Sequence, residues 1–330
     1  MSSNNKATVR LVTYNVLSQS LCTPSHYPHQ DAADLEPNTR YARLEDKLEE
    51  HCASSAIILL QEVSETWYGK LAVFFSDRNY FFAYSKYSGP FSDYMGVAIA
   101  FPQEKLKLLA LASKRLTETA QWPMKNRSKK KNTGNGKNRK SKNQNRGSLK
   151  TIDSIERASM KWNRALWAKL ECRDTGKEFC VSTYHMPCDF KHPVVMNLHV
   201  ALYLSFVQSK SKGLPVIAGG DFNMKPGDFC YNIATEGKID ATTKSILPTG
   251  PRKMRSAYKE FLGKEPDFTN FAFSEMSEEP FIDCLDYIFL SEEFEIVDVV
   301  DLPNRDAAGG PFPNSNECSD HILIGATVRL

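Results

Sequence analysis

The chain has 330 residues, 41% of them hydrophobic, enough for a sizeable core within one large domain. No run approaches the roughly 18 apolar residues of a membrane-crossing helix, and Met1-Ser2-Ser3-Asn4-Asn5-Lys6 leads into no apolar stretch, so neither a span nor a secretory leader is expected. The net charge of +3 hides a division: residues 125–150 hold eleven Lys and Arg and no acid, and removing them leaves −8 on the rest.

Period and composition predict the elements in turn. Val9–Leu17 reads as a strand, Tyr41–His51 as a helix with Leu44 and Leu48 on its apolar face, Ala56–Gln61 as a short buried strand and Glu65–Ser76 as a helix. Tyr80–Tyr84, Met95–Phe101 and Leu106–Leu111 read as strands. A basic, Asn/Gly-rich insertion follows, expected to be disordered from about 113 to 158, because such a composition buries too little apolar surface to order itself. Its charges suit a solvated loop, a tether for a phosphate backbone, or a nuclear import signal around Lys137-Asn138-Arg139-Lys140-Ser141-Lys142. Arg164–Glu171 and Phe179–Tyr184 read as a hairpin, turned by Arg173-Asp174-Thr175-Gly176. Pro193–Ser209 is predicted helical, and Leu214–Gly219, Cys284–Leu290, Glu295–Val300 and Ile322–Val328 supply the last strands. Hairpins mixed with helices, without regular βαβ alternation, predict two packed sheets with outer helices in a single domain spanning 1–330.

The eight cysteines are scattered, with no Cys-x-x-Cys pair. That argues against zinc ligation or a disulfide framework, and for reduced thiols in an intracellular protein, cytoplasmic or nuclear. His192 and His199 share a predicted helix but have no third ligand nearby, so they are not read as a metal site. Phe81, Phe82, Tyr84, Tyr87, Phe91 and Tyr94 form an aromatic-rich stretch, part core and part available to stack on bases.

Six short strings carry the chemistry: Thr13-Tyr14-Asn15-Val16, Leu60-Gln61-Glu62-Val63, Thr183-Tyr184-His185, Gly220-Asp221-Phe222-Asn223, Leu285-Asp286-Tyr287-Ile288 and Cys318-Ser319-Asp320-His321. Taken singly, an Asn or Asp after a strand is a turn former or a helix cap, and a single His is an ordinary polar side chain. Taken together, five follow β-rich apolar runs, and a buried strand ending in a carboxylate or amide pushes that group out at the sheet rim. Rims converging on one point make a cluster of hard oxygen ligands with histidines, which suits Mg²⁺ and a phosphate.

These strings resemble the endonuclease/exonuclease/phosphatase superfamily, from about Thr8 to the C-terminus apart from the basic insertion. Tyr14-Asn15-Val16-Leu17, Leu60-Gln61-Glu62-Val63, Glu265-Pro266-Asp267-Phe268-Thr269-Asn270 and Cys284-Leu285-Asp286-Tyr287-Ile288 are most similar to its deadenylase, nocturnin and angel branch. Two strings depart from that branch: Thr183-Tyr184-His185 stands where Asn-Thr-His is usual, and Asp93-Tyr94-Met95-Gly96 where an Asp-Gly is expected. The resemblance implies a four-layer α/β sandwich of two packed mixed sheets flanked by helices. It also implies a Mg²⁺- or Mn²⁺-dependent phosphodiesterase acting on RNA 3′ ends, or on 2′,5′-linked oligonucleotides, a terminal 2′ or cyclic phosphate, or a nucleotide cofactor. The implied roles are metal for Asn15, Glu62 and Asp320, catalysis for His185, Asp221, Asn223, Asp286 and His321, and substrate contact for Asn270 and Tyr94. Asp286 would orient His321, and either Asp221 or His321 would take the proton of the attacking water. A reading of a different class, an idle relative that binds RNA through the basic insertion, is disfavoured because the six strings keep their ligands.

Overall fold

The computed structural model of the protein describes residues 6–87, 95–123, 153–275 and 277–330. The first elements in chain order are β1 (Thr8–Asn15), α1 (Ala32–Leu35), α2 (Pro37–Ala53), β2 (Ile57–Val63), α3 (Glu65–Asp77), β3 (Tyr80–Lys86), β4 (Gly96–Pro102) and β5 (Leu106–Arg115). A 3-10 turn at Leu116–Thr119 and helix α4 at residues 153–159 precede β6 (Arg164–Cys172), β7 (Glu178–His185), α5 (Pro193–Ser211) and β8 (Val216–Asp221). Then come α6 (Phe229–Glu236), α7 (Ala241–Ile246), β9 (Arg255–Ser256), α8 (Ala257–Leu262), β10 (Asn270–Ala272) and β11 (Phe281–Asp283). The chain closes with β12 (Asp286–Leu290), β13 (Glu295–Val299) and β14 (Ile324–Arg329).

One six-stranded sheet has the order β13-β14-β1-β2-β4-β3 and the other β5-β6-β7-β8-β12-β9. Both are mixed: β1 runs parallel to β2 and antiparallel to β14, while β8 runs parallel to β7 and antiparallel to β12. Alternation along β2 explains its unbroken apolar run. Ile57 and Leu59 face the other sheet, packing with Leu166, Val181, Ile217 and Ile288, whereas Ile58 and Leu60 pack on Leu44 and Leu48 of α2 and Trp67 and Phe75 of α3. The second sheet covers its outer face with α5 and α6 in the same way, through Met196, Val200, Leu204 and Ile233 on Cys180, Ala218 and Phe289. The layers are therefore helix, sheet, sheet, helix, the sandwich expected from the strings.

Within the stretch 113–158, where disorder was expected, residues 113–123 and 153–158 are among the described residues. Residues 113–115 finish β5, and 153–159 are helical. The reason is local: Trp122 before the basic stretch and Ile155 and Ala158 after it pack with Val195 and Leu198 of α5, anchors that an average over the whole stretch conceals. The eleven positive charges themselves, and Tyr94, lie outside the described residues. Short α1, α6, α7, α8 and the β10–β11 hairpin were not expected, being too short to show a period.

Candidate active site

Asn15, Glu62, His185 and Asp221 stand at or next to the ends of β1, β2, β7 and β8, four adjacent rims of the two sheets. Beneath them the buried Gln61 Nε2 donates to Thr13 Oγ1 and Thr183 Oγ1, both at 2.9 Å, which ties one sheet to the other. The Gly of Gly-Asp-x-Asn is required by contact: a Cβ on Gly220 would lie 2.1 Å from the Tyr184 carbonyl oxygen, so only glycine lets β8 carry Asp221 this close to β7. Three non-glycine residues around the site adopt left-handed backbone, Leu17 (φ 53°), Glu62 (φ 57°) and Asn223 (φ 47°). Such strain persists only where surrounding bonds fix it.

Those bonds are specific. Asn15 Oδ1 accepts from the Leu17 amide at 3.0 Å, which turns its Nδ2 toward Glu62 Oε1 (3.1 Å) and Asp221 Oδ2 (2.9 Å). Asn15 thus offers the site donors, not the oxygen a metal ligand needs, and its geometry is that of a group orienting two carboxylates. Glu62 Oε2 accepts from the Ser18 amide at 3.0 Å. Asp221 Oδ1 accepts from the Asn223 amide at 2.8 Å, and Asn223 Nδ2 donates to the Met186 carbonyl at 3.0 Å. His185 Nε2 lies 3.4 Å from Asp221 Oδ2 and 3.8 Å from Glu62 Oε1, with its Nδ1 on the Tyr87 hydroxyl.

Asp286 faces Asp221 across the β8–β12 register. Its Oδ2 accepts from His321 Nδ1 and from Thr269 Oγ1, each at 2.7 Å, and His321 Nε2 is 3.6 Å from Asp221 Oδ2. Burial by itself lowers the affinity of His321 for its proton. The carboxylates of Asp286, Asp221 and Asp320 outweigh burial and hold its pKa well above the ordinary histidine range. Burial pushes the Asp221 carboxyl up, against the pull of His321 and His185. Asp320 Oδ2 accepts from Tyr27 (3.0 Å) and from Asn270 Nδ2 (3.2 Å). Asn270 and Asp320 therefore form a second small cluster joined to the first through the Asn270–His321 bridge.

A hard divalent cation fits this chemistry. Glu62, Asp221 and Asp286 are buried (8%, 1% and 1% exposed), and among the described residues their ion-pair partners are histidines only, with no Lys or Arg. Three buried carboxylates that share one protonated histidine, His321, leave uncompensated negative charge, which is costly, and a divalent cation relieves that cost. Asp221, Asp286 and His321 bring ligand atoms within 4.8 Å of one another. His321 Nδ1 is committed to Asp286, while its Nε2 stands 3.6 Å from Asp221, an ion-pair distance rather than a hydrogen bond.

Several contributors escaped the sequence reading. Tyr27 on Asp320, Tyr87 on His185 and Thr269 on Asp286 are ordinary residues until the fold aims them, although Thr269 stands inside a string already singled out. Arg40, fully buried in α2, donates to the carbonyls of Cys318 (2.6 Å), Val16 (2.8 Å) and Leu17 (2.6 Å), pinning the loops that carry Asn15 and His321. His192 and His199 form no metal site: one bonds Asp189, and the other spans Tyr184 and the Ala158 carbonyl. All eight cysteines are unpaired, and no described helix is long and apolar enough to cross a membrane.

Comparison with known proteins agrees with this fold. The exoribonuclease subunit Ccr4 of the CCR4-Not complex from Neosartorya fischeri is 25% identical over 400 residues, covering 100% of this chain and 48% of that protein. Human 2',5'-phosphodiesterase 12 is 25% identical over 170 residues, covering 48% of this chain and 27% of its own length. The chain thus spans between about a quarter and about half of these curated relatives. Among solved structures, ANGEL2, described as a 2',3'-cyclic phosphatase, superposes with a TM-score of 0.73 at 19% identity, covering 99% of this chain and 97% of that one. The human Nocturnin catalytic domain gives 0.65 at 19% identity, covering 98% and 97%. A family model matches residues 12–321, from β1 to the last histidine of the site, and the chain belongs to the Endonuclease/Exonuclease/phosphatase family.

Proposed function

We propose that the protein is a divalent-metal-dependent phosphoesterase that hydrolyses RNA from its 3′ end. The observation that carries this reading is the bonded Asp286–His321 pair, 3.6 Å from Asp221 and set beside the buried Glu62 carboxylate, with His185 at 3.4 Å from Asp221. The full-length similarity to a 3'-5'-exoribonuclease supports the choice of linkage.

Glu62 would hold Mg²⁺ or Mn²⁺, with Asn15 fixing its carboxylate, and the cation would neutralise charge on the phosphoryl oxygens. Asp221, oriented by the Asn15 amide and the Asn223 backbone, takes the proton from the attacking water. His321, protonated on both nitrogens between Asp286 and Asp221, donates from Nε2 to the phosphate rather than accepting a proton. His185 donates from Nε2 on the other side, with its tautomer set by Tyr87. Asn270, carried with Asp320 on the β10 side, contacts the terminal nucleotide.

The similarity to 2',5'-phosphodiesterase 12 favours a second reading, cleavage of 2′,5′ linkages by the same groups. Purified protein should be assayed side by side on 3′-adenylated RNA, 2′,5′-oligoadenylate, RNA ending in a 2′ or cyclic phosphate and a nucleotide cofactor, each with Mg²⁺, Mn²⁺ or chelator. Metal-dependent loss of 3′ nucleotides is expected. Faster cleavage of the 2′,5′ substrate would select the second reading, and no metal-dependent hydrolysis of any substrate would leave an RNA-binding relative without catalysis.

A further inference from the structure

Residues 160–163 lead into β6 beside the site, and Asn163 Nδ2 anchors them by donating to the His185 carbonyl at 2.8 Å. Two large apolar side chains of this short stretch stand in solvent, Met160 at 65% and Trp162 at 55% exposure. Arg115 covers one face of the indole, its Cζ 3.8 Å from the ring centroid. That guanidinium is itself held by the Lys161 carbonyl (2.9 Å, from Nε) and the Met160 carbonyl (3.4 Å, from Nη2). The ring is thus braced on one side while more than half of its surface stays in water, which leaves the other face open.

Charge points the same way. Arg115 stands directly opposite Arg164 in the β5–β6 register, and like charges so placed destabilise an antiparallel pair unless an anion joins them. Glu118 feels both arginines but is already paired with Lys114 at 3.0 Å. Nearby, the single carboxylate of Asp189 is shared by Arg157, Lys161 and His192. An exposed indole beside surplus guanidinium is what a base and its phosphate need: stacking without sequence preference, and charge for the backbone.

We propose that Trp162, Arg115 and Arg164 form a platform for single-stranded nucleic acid, with a base on the open indole face and a backbone phosphate between the two arginines. The proposal rests on the reading that the reacting phosphate belongs to RNA. The platform takes nucleotides away from the reacting end, so it matters more as the substrate lengthens.

The test measures binding of phosphorothioate oligoadenylates and hydrolysis of the matching RNAs, from dinucleotide to octanucleotide, for wild type, Trp162→Ala, Trp162→Phe and the Arg115→Ala/Arg164→Ala double variant. Trp162→Ala should weaken octanucleotide binding about ten- to hundred-fold, with a loss that shrinks as the chain shortens, and Trp162→Phe should recover most of it. The arginine variant should reduce the slope of log Kd against log salt by about 0.7, one phosphate's worth. A loss independent of length, no loss in variants that melt like wild type, or equal competition by polyglutamate would overturn the platform. If binding depends on Trp162 but no RNA is hydrolysed, the platform stands and the hydrolytic reading falls. If hydrolysis is strong and Trp162→Ala moves neither Kd nor KM, the reverse holds.

Discussion

Asp286→Asn keeps the shape of a side chain whose charge is the point. Asp286 Oδ2 accepts from His321 Nδ1 and Thr269 Oγ1, both at 2.7 Å, so the amide oxygen of Asn must take that place to keep either bond. Its NH₂ then occupies the position of Oδ1, which is buried and has no partner among the described residues. Exchanging a charge-assisted bond for a neutral one costs about 1 kcal/mol, and an unsatisfied buried donor about 1–3 kcal/mol more. If about 2–3 kcal/mol of this appears in the transition state, kcat falls roughly 30- to 150-fold. The assay is kcat and kcat/KM against pH for Asp286→Asn, His321→Ala and the double variant. Residues acting as one unit are non-additive, so the double should lie within about three-fold of the worse single. The limb of the pH profile that belongs to His321 should move to lower pH, because the carboxylate bonded to its Nδ1 proton is gone. Losses that multiply, with an unmoved pH limb, would refute the coupling of Asp286 to His321. Stability carries the same sign. A histidine whose folded pKa is raised stabilises most below its unfolded value of about 6.5, and this contribution is lost as pH climbs through the folded value. The gap in Tm between wild type and Asp286→Asn should therefore narrow toward alkaline pH.

Three further outcomes are expected. Glu62→Gln should abolish turnover and also the stabilisation that Mg²⁺ gives wild type, about 2.7 kcal/mol at a metal concentration a hundred times Kd and read as a rise in Tm; retention of that rise would remove Glu62 from the metal. Arg40→Ala deprives three buried carbonyls of their donor and should cost about 3–5 kcal/mol with an unchanged denaturant m-value, whereas a loss under about 1 kcal/mol would mean water replaces the guanidinium. Deleting residues 125–150, whose flanks Trp122 and Ile155 share one apolar cluster, should flatten the salt dependence of long-RNA binding and spare a dinucleotide; crippled dinucleotide turnover would tie the segment to the chemistry itself.

The strands that carry Asn15, Glu62, His185 and Asp221 were legible because each is a β-rich apolar run, and a run that is apolar at every position must be covered on both faces. That requirement alone implies sheets with outer helices, and the polar residue closing each run marks the rim. Gly220 shows how far local sequence reaches: the string was conspicuous, but its reason is the Tyr184 carbonyl 2.1 Å from the missing Cβ, an atom on another strand. Orientation was the part that only the tertiary structure decided. The resemblance grouped Asn15 with the metal, and only the fold shows that the Leu17 amide bonds its oxygen and leaves donors toward Glu62 and Asp221. Likewise Tyr27 and Arg40 carry no periodic or motif signal, and Tyr87 was noted only as one of an aromatic stretch, because what makes them matter is a hydrogen-bond partner up to 293 positions away in the chain. Hydrophobic period is a property of neighbours in sequence and survives averaging along it. Which lone pair faces which proton is set by strands that meet only once both sheets have packed.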